Sequence, residues 1–101
     1  MMKKFELAPI DGRKSFYGKC SVEEWNAGKV AVLTSYKTKV AAIVNGEFIR
    51  IKDYSFEYSQ TTLRHINAFR DCYGMPTLSK AEFLSIPARY YNPFTDIMKT
   101  C

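Results

Sequence analysis

Residues 59–76, SQTTLRHINAFRDCYGMP, carry the clearest helix pattern in the chain and decide its fold. At 100° per residue, one arc of about 120° collects an apolar stripe. The stripe consists of Thr62, Leu63, Ile66, Phe69 and Tyr73. Ser59 or Thr61 suits the N-cap position. Gly74 suits the left-handed residue that ends a helix, and Pro76 prevents continuation. The stretch therefore predicts a main helix whose stripe packs on a sheet.

The clearest strands before this helix form a hairpin. Residues 39–44 (KVAAIV) and 47–52 (EFIRIK) flank Asn45-Gly46. This dipeptide favours a type I′ turn, because both central positions need a positive φ. The two-residue loop predicts the cross-strand pairs Val44–Glu47, Ile43–Phe48, Ala42–Ile49 and Val40–Ile51. We expect the core face of the hairpin to consist of Val40, Ala42, Ile49 and Ile51.

Weaker patterns predict the other elements. Residues 16–22 and 29–36 are strand candidates because they are rich in β-branched and aromatic side chains. Lys37-Thr38 is interpreted as a bend within one long strand. Ser79 and Glu82 have the spacing of a capping box, so a short helix is expected, and Pro87 would stop it.

Together these elements predict one α+β domain over residues 1–101. It consists of a small antiparallel sheet of three to four strands, packed against one main helix, plus a short C-terminal helix. The predicted segments are an irregular N-terminal stretch, the sheet, the main helix, the short helix and an aromatic tail, over residues 1–15, 16–52, 59–74, 79–86 and 88–101.

Composition indicates an ordinary soluble protein. The chain is 47% hydrophobic and 25% charged, as globular domains usually are. No apolar run approaches the roughly 18 residues of a membrane span. Residues 1–4 (MMKK) are not followed by the apolar region of a signal peptide. The three cysteines are odd in number and widely spaced, which fits reduced thiols. We therefore expect a cytoplasmic protein without a membrane partner.

The net charge of +5 lies entirely in the strand-rich half. Residues 1–52 hold ten Lys/Arg and five Asp/Glu, whereas residues 53–101 hold five of each. We predict a partner-binding surface from the basic and aromatic residues, suited to phosphate contact and base stacking. Its basic members are Lys19, Lys37, Lys39, Arg50 and Lys52. Its aromatic members are Tyr36, Phe48, Tyr90 and Tyr91. The alternative is that the lysines are solvated and guard strand edges.

The sequence offers no catalytic signature. His65 is the only histidine, and Cys72 lies seven residues away, about 10 Å along a helix, too far for a hydrogen-bonded nucleophile pair. His65 is either a structural or surface residue or a ligand contact. One histidine and three dispersed cysteines do not indicate a metal site, and the five isolated glycines form no phosphate loop. We expect neither an enzyme nor a cofactor.

Four stretches together resemble a family of small domains encoded by phages and mobile elements of Gram-positive bacteria. They are SFYGK (15–19), LTSYKTKVA (33–41), NGEF (45–48) and TTLRHINAF (61–69). The resemblance implies a mobile-element setting, in which small proteins often block host defence machinery such as CRISPR effectors. The leading prediction is therefore a non-enzymatic binder that inhibits a host defence protein or ribonucleoprotein, of the anti-CRISPR type. A direct nucleic-acid-binding module is the alternative. The charge of +5 does not suit a DNA mimic. The aromatic tail either docks on its own domain or contacts another chain, including a second copy.

Overall fold

The computed structural model describes residues 2–10, 16, 18–36, 38–51 and 60–89. These residues form one sheet of six strands, in which the strands lie side by side in the order of the sequence. The strands are β1 (Lys3–Glu6), β2 (Cys20–Trp25), β3 (Val30–Ser35), β4 (Thr38–Val44), β5 (Glu47–Ile51) and β6 (Ala88–Arg89). The first five are antiparallel neighbours, and the two-residue β6 runs parallel to β5. Two helices, α1 (Gln60–Cys72) and α2 (Lys80–Ser85), complete an α+β fold. The expected three to four strands were too few.

The predicted hairpin is confirmed as β4 and β5. Asn45 and Gly46 have φ values of 51° and 83°, as a type I′ turn requires. Three of the four expected pairs form, Val44–Glu47, Ile43–Phe48 and Ala42–Ile49, whereas the ladder ends at Ala41–Arg50 without the expected Val40–Ile51 pair.

The expected core face of this hairpin is right for Ala42, Ile49 and Ile51, which share one buried cluster, but wrong for Val40. Both faces of the central strands are buried. Leu33 pairs with Ala41 and Thr34 with Lys39, so Val40 is the extra residue of a β-bulge and turns to the same side as Ala41. That side packs against α1, whose core members are Leu63, Ile66, Ala68 and Phe69. The opposite face buries a second cluster: Val30, Val32, Ala42, Val44, Ile49 and Ile51.

Three strand boundaries differ from expectation. The supposedly irregular N-terminal stretch contains β1, which has a single apolar residue, Phe5, and therefore no alternating pattern. The strand predicted over residues 16–22 begins later, at Cys20, and continues to Trp25 as β2. The expected single long strand with a bend is two strands, because β3 ends at Ser35, β4 begins at Thr38 and the two are antiparallel neighbours.

Helix α1 ends as its sequence predicts. Gly74 has φ 75°, and its N–H donates to the Asp71 carbonyl at 3.1 Å. The Met75 N–H donates to the Arg70 carbonyl at 2.8 Å, which completes a Schellman motif. Ile66 and Phe69 of the stripe are fully buried. Neither helix in the described part of the chain is long and apolar enough to cross a membrane.

Asn67 fixes the connection between the helices. Its Nδ2 donates to the Leu78 carbonyl at 3.0 Å, and the Leu78 N–H donates to its Oδ1 at 2.7 Å. Ser79 and Glu82 then form the predicted capping box of α2. The amide of Asn67 thereby sets where α2 begins and places the buried Phe83 against the core.

Replacing Asn67 with alanine should lower the free energy of unfolding by about 1–3 kcal/mol, because two partly buried hydrogen bonds are lost and the Leu78 N–H is left without its acceptor. Urea denaturation measures this loss. Asp71→Ala, at an exposed position of the same helix, is the control and should change stability by no more than about 0.5 kcal/mol. Equal losses in the two variants would contradict the role of Asn67.

Candidate functional site

Tyr36 stands at the chain reversal between β3 and β4. Its φ is 58°, in the left-handed region that bulky residues rarely adopt. Its N–H donates to the Lys19 carbonyl at 2.6 Å, which ties the reversal to the residue before β2. The side chain is nevertheless 51% exposed. A strained backbone thus presents an aromatic ring to solvent.

Two lysines accompany this ring. The Lys19 Nζ lies 5.5 Å from the Tyr36 ring centroid, within cation–π range. Lys39 is exposed near the start of β4, opposite Thr34. Lys19, Tyr36 and Lys39 therefore share one end of the sheet, and we call these three residues the Tyr36 corner. It unites three of the residues that the sequence predicted for partner binding.

The Tyr36 corner rests on a buried histidine. His65 is only 1% exposed, and its ring centroid lies 5.7 Å from that of Tyr36 and 4.4 Å from that of Phe16, an edge-to-face contact. His65 Nδ1 and the buried Ser35 Oγ share a hydrogen bond of 2.7 Å. Burial, with a smaller contribution from the charge of Arg64, lowers the pKa of His65 to about 4. The ring is neutral at pH 7, and its placement favours the structural reading over ligand contact.

Arg50 and Phe48 lie away from the Tyr36 corner, on the sheet face that meets the helices. Arg50 Nη1 donates to the Ile86 carbonyl at 2.9 Å, and its guanidinium lies 4.6 Å from the Phe83 ring centroid. Phe48 is half-buried, with the Arg70 guanidinium 4.8 Å from its ring centroid. Both side chains hold the helices onto the sheet.

The remaining predicted contacts, Lys37, Lys52, Tyr90 and Tyr91, lie outside the described residues.

A depression of about 630 Å³ opens beside the Tyr36 corner. The described residues that line it are Lys4, Phe5, Glu6, Gly18, Ser21, Glu23, Thr34 and Tyr36. It combines charges of both signs with hydroxyl groups. The sequence did not indicate Lys4 and Glu6 because it did not predict β1 as a strand. Only the pairing of β1 with β2 places Lys4 opposite Glu23.

The described cysteines are poor nucleophiles. Burial raises the pKa of Cys20 to about 12. Partial burial, with Glu24 and Asp71 nearby, also raises the pKa of the Cys72 thiol. Tyr73 donates its hydroxyl to Glu24 Oε2 at 2.7 Å, and burial together with that carboxylate raises its pKa. Among residues 2–10, 16, 18–36, 38–51 and 60–89, no three His, Cys, Asp or Glu side chains are grouped to hold a metal ion.

The buried His65 should make the fold acid-sensitive. In the unfolded chain the ring takes up a proton near pH 6.5, whereas in the folded chain it does so only near pH 4. Protons therefore bind the unfolded state first, and stability is lost as pH falls through this window. Since one pKa unit corresponds to about 1.4 kcal/mol, the His65 contribution to the loss between pH 7 and pH 4 should be about 3 kcal/mol.

A comparison with His65→Gln isolates this contribution, because glutamine still offers Ser35 a hydrogen bond but does not titrate. Urea unfolding from pH 7 to pH 4 should show a steeper loss for the wild type than for the variant. Parallel pH profiles would show that His65 keeps an ordinary pKa in the fold.

No curated protein and no solved structure matches the chain. A model of a family of unknown function, DUF8033, matches residues 5–85. The match runs from Phe5 in β1 to the last residue of α2, and therefore includes the Tyr36 corner and α1 but not the aromatic tail. Since it covers most of the sequence, the chain belongs to the DUF8033 family of unknown function.

Proposed function

We propose that this protein is a non-enzymatic binding protein of a phage or mobile element that contacts a host protein or ribonucleoprotein through the Tyr36 corner. The observation that carries the proposal is the half-exposed Tyr36 ring, held at φ 58° with the Lys19 ammonium against it.

The backbone of Tyr36 argues for a role of its side chain. A left-handed non-glycine residue costs on the order of 1 kcal/mol or more, and such strain clusters at binding sites. Asparagine or glycine would adopt this φ at lower cost. Tyr36 therefore holds a rigid aromatic ring at a strained position, although only about half of its surface is buried there. Tyrosine is also among the residues that dominate the binding energy of protein interfaces.

The buried groups beneath the Tyr36 corner support binding rather than catalysis. His65 is enclosed and bonded to Ser35, so neither side chain is presented to a substrate. Cys20 is buried and protonated at neutral pH. The exposed groups of the Tyr36 corner are an aromatic ring and two lysine side chains, which suit contact with anionic or aromatic surfaces.

The resemblance to phage and mobile-element domains suggests the class of partner. Small proteins in that setting inhibit host defence, and an anti-CRISPR-type inhibitor acting in the bacterial cytoplasm is the form we propose. The charge of +5 favours an acidic protein surface or the nucleic acid of a ribonucleoprotein.

Direct nucleic-acid binding is the second candidate. The paired Lys19 and Tyr36 offer one phosphate contact and one stacking surface, as single-strand binders do. Salt distinguishes the two functions. Phosphate contacts release counterions, so affinity for nucleic acid falls steeply between about 50 and 200 mM salt. An interface with an apolar centre changes less.

Tyr36→Gly should separate binding from stability. Glycine relieves the strain at φ 58°, which offsets the lost contacts of the ring with Lys19 and His65, so the melting temperature should stay close to that of the wild type. Loss of the ring should weaken partner capture at least about tenfold, as for an interface residue worth more than 1.4 kcal/mol. Tyr36→Phe keeps the ring and is the control that should retain capture.

The measurement is affinity capture from host lysate at low and high salt, with and without nuclease, followed by titration of the isolated partner. Capture that survives nuclease and high salt supports a protein partner, and capture lost under both supports the second candidate. Undiminished binding by both Tyr36→Gly and Lys39→Glu would overturn the assignment of the Tyr36 corner.

A further inference from the structure

Strand β1 lies at the edge of the described sheet, with β2 on its inner side and no described residue paired to its outer side. The Leu7 N–H donates to the Cys20 carbonyl at 3.0 Å, which continues the register from the Glu6–Ser21 pair. Hydrogen-bonded and non-hydrogen-bonded pairs alternate along an antiparallel ladder. The backbone groups of Leu7 and Phe5 therefore point to β2, and those of Lys4 and Glu6 point outward.

We propose that this edge binds β1 of a second copy of the chain, giving a twofold dimer with one continuous antiparallel sheet. The dyad passes at Phe5, so Lys4 of each copy lies opposite Glu6 of the other. These are the two residues whose backbone groups face outward. Each Lys4–Glu6 pair exchanges two backbone hydrogen bonds, and the twofold axis doubles the number to four.

The side chains match in the same register. Lys4 and Glu6 are both exposed and project to one face of the sheet, so each ammonium meets a carboxylate across the interface. Phe5 projects to the other face with Val22, where it packs at the margin of the core cluster. At the dyad the two Phe5 residues form a non-hydrogen-bonded pair, the kind that brings side chains closest.

Other symmetric registers are less favourable. A dyad at Lys4 sets two lysines directly opposite each other, and a dyad at Glu6 does the same with two carboxylates. A register shifted by one residue sets an outward-facing backbone against an inward-facing one, which removes the hydrogen bonds. Lysines on an edge strand usually discourage pairing. Here Glu6, two residues away on the same face, makes the edge self-complementary.

The contact is small, which places the dimer among weak, reversible associations. Its dyad adjoins the depression lined by Lys4, Glu6 and Tyr36, so the depressions of the two copies lie next to each other. The dimer would present two Tyr36 corners together. The proposal does not depend on the partner of that corner.

Sedimentation velocity on the full chain from about 5 to 500 µM tests the association. Lys4→Glu and Glu6→Lys each replace two attractive pairs with two repulsive ones and should raise the dimer Kd at least about tenfold. The double swap Lys4→Glu/Glu6→Lys restores opposite charges across the dyad, and its Kd should return to within about threefold of the wild type. Thermal melts verify folding, because Lys4→Glu also places a carboxylate opposite Glu23 within the chain.

Glu6→Pro provides a second test, through the backbone. Proline is tolerated where an edge N–H faces solvent, so the monomer should fold, but the outward donor is gone and dimerisation should be abolished. A wild type that stays monomeric at 500 µM would overturn the proposal. So would a double swap that dimerises as weakly as the single variants. A dimer unaffected by Glu6→Pro would place the interface elsewhere, as the aromatic-tail alternative requires.

Discussion

The packing of α1 on the middle of the sheet is the interaction on which the rest of this structure depends. Ile66 and Phe69 are fully buried against Leu33 and Ala41. Truncating a buried phenylalanine costs about 3–5 kcal/mol. An exposed cation–π contact, such as that of Lys19 with Tyr36, is worth about 0.5–1 kcal/mol. Apolar packing therefore sets where the helix lies, and the polar contacts adjust what surrounds it.

Those polar contacts fasten the periphery to this centre. Asn67 holds the loop before α2, Arg50 holds the residue after α2, and Tyr73 joins the end of α1 to β2 through Glu24. The burial of His65 has the same cause. A helix that packs closely enough to bury Phe69 also buries His65, which lies one turn earlier on the same helix. The uncharged His65 is thus a consequence of helix docking, and Ser35 supplies the hydrogen bond that a buried imidazole needs.

Local signals in the sequence were sufficient for the hairpin, α1 and the α2 capping box. Asn45-Gly46, Gly74 and the Ser79–Glu82 spacing each specify a local conformation, and the structure adopts all three. Long-range features were not accessible in this way. Strand β1 has one apolar residue and is defined only by its pairing with β2. The bulge at Val40 depends on register between β3 and β4, and a single extra residue reverses which face a side chain occupies.

In the candidate site, too, the sequence indicated the residue types but not the long-range placement. Charge and aromatic content indicated Lys19, Tyr36 and Lys39, but could not distinguish them from Arg50 and Phe48, which the structure uses to hold the helices. Composition counts cations without saying which side of a strand they occupy. The positive φ of Tyr36 has no sequence signal, because tyrosine does not favour that conformation.

Burial on both faces of β3 and β4 limits where this protein can meet a partner. Most of their side chains belong to the two apolar clusters, so the middle of the sheet offers little surface. Within the described strands, exposed side chains concentrate at the margin of the sheet, on β1 and at the turns. The exposed charges of β1 and the half-exposed Tyr36 lie at that margin, and both border the same depression. Because a rigid, doubly buried core holds them, their positions are preorganised, and binding there costs little ordering entropy.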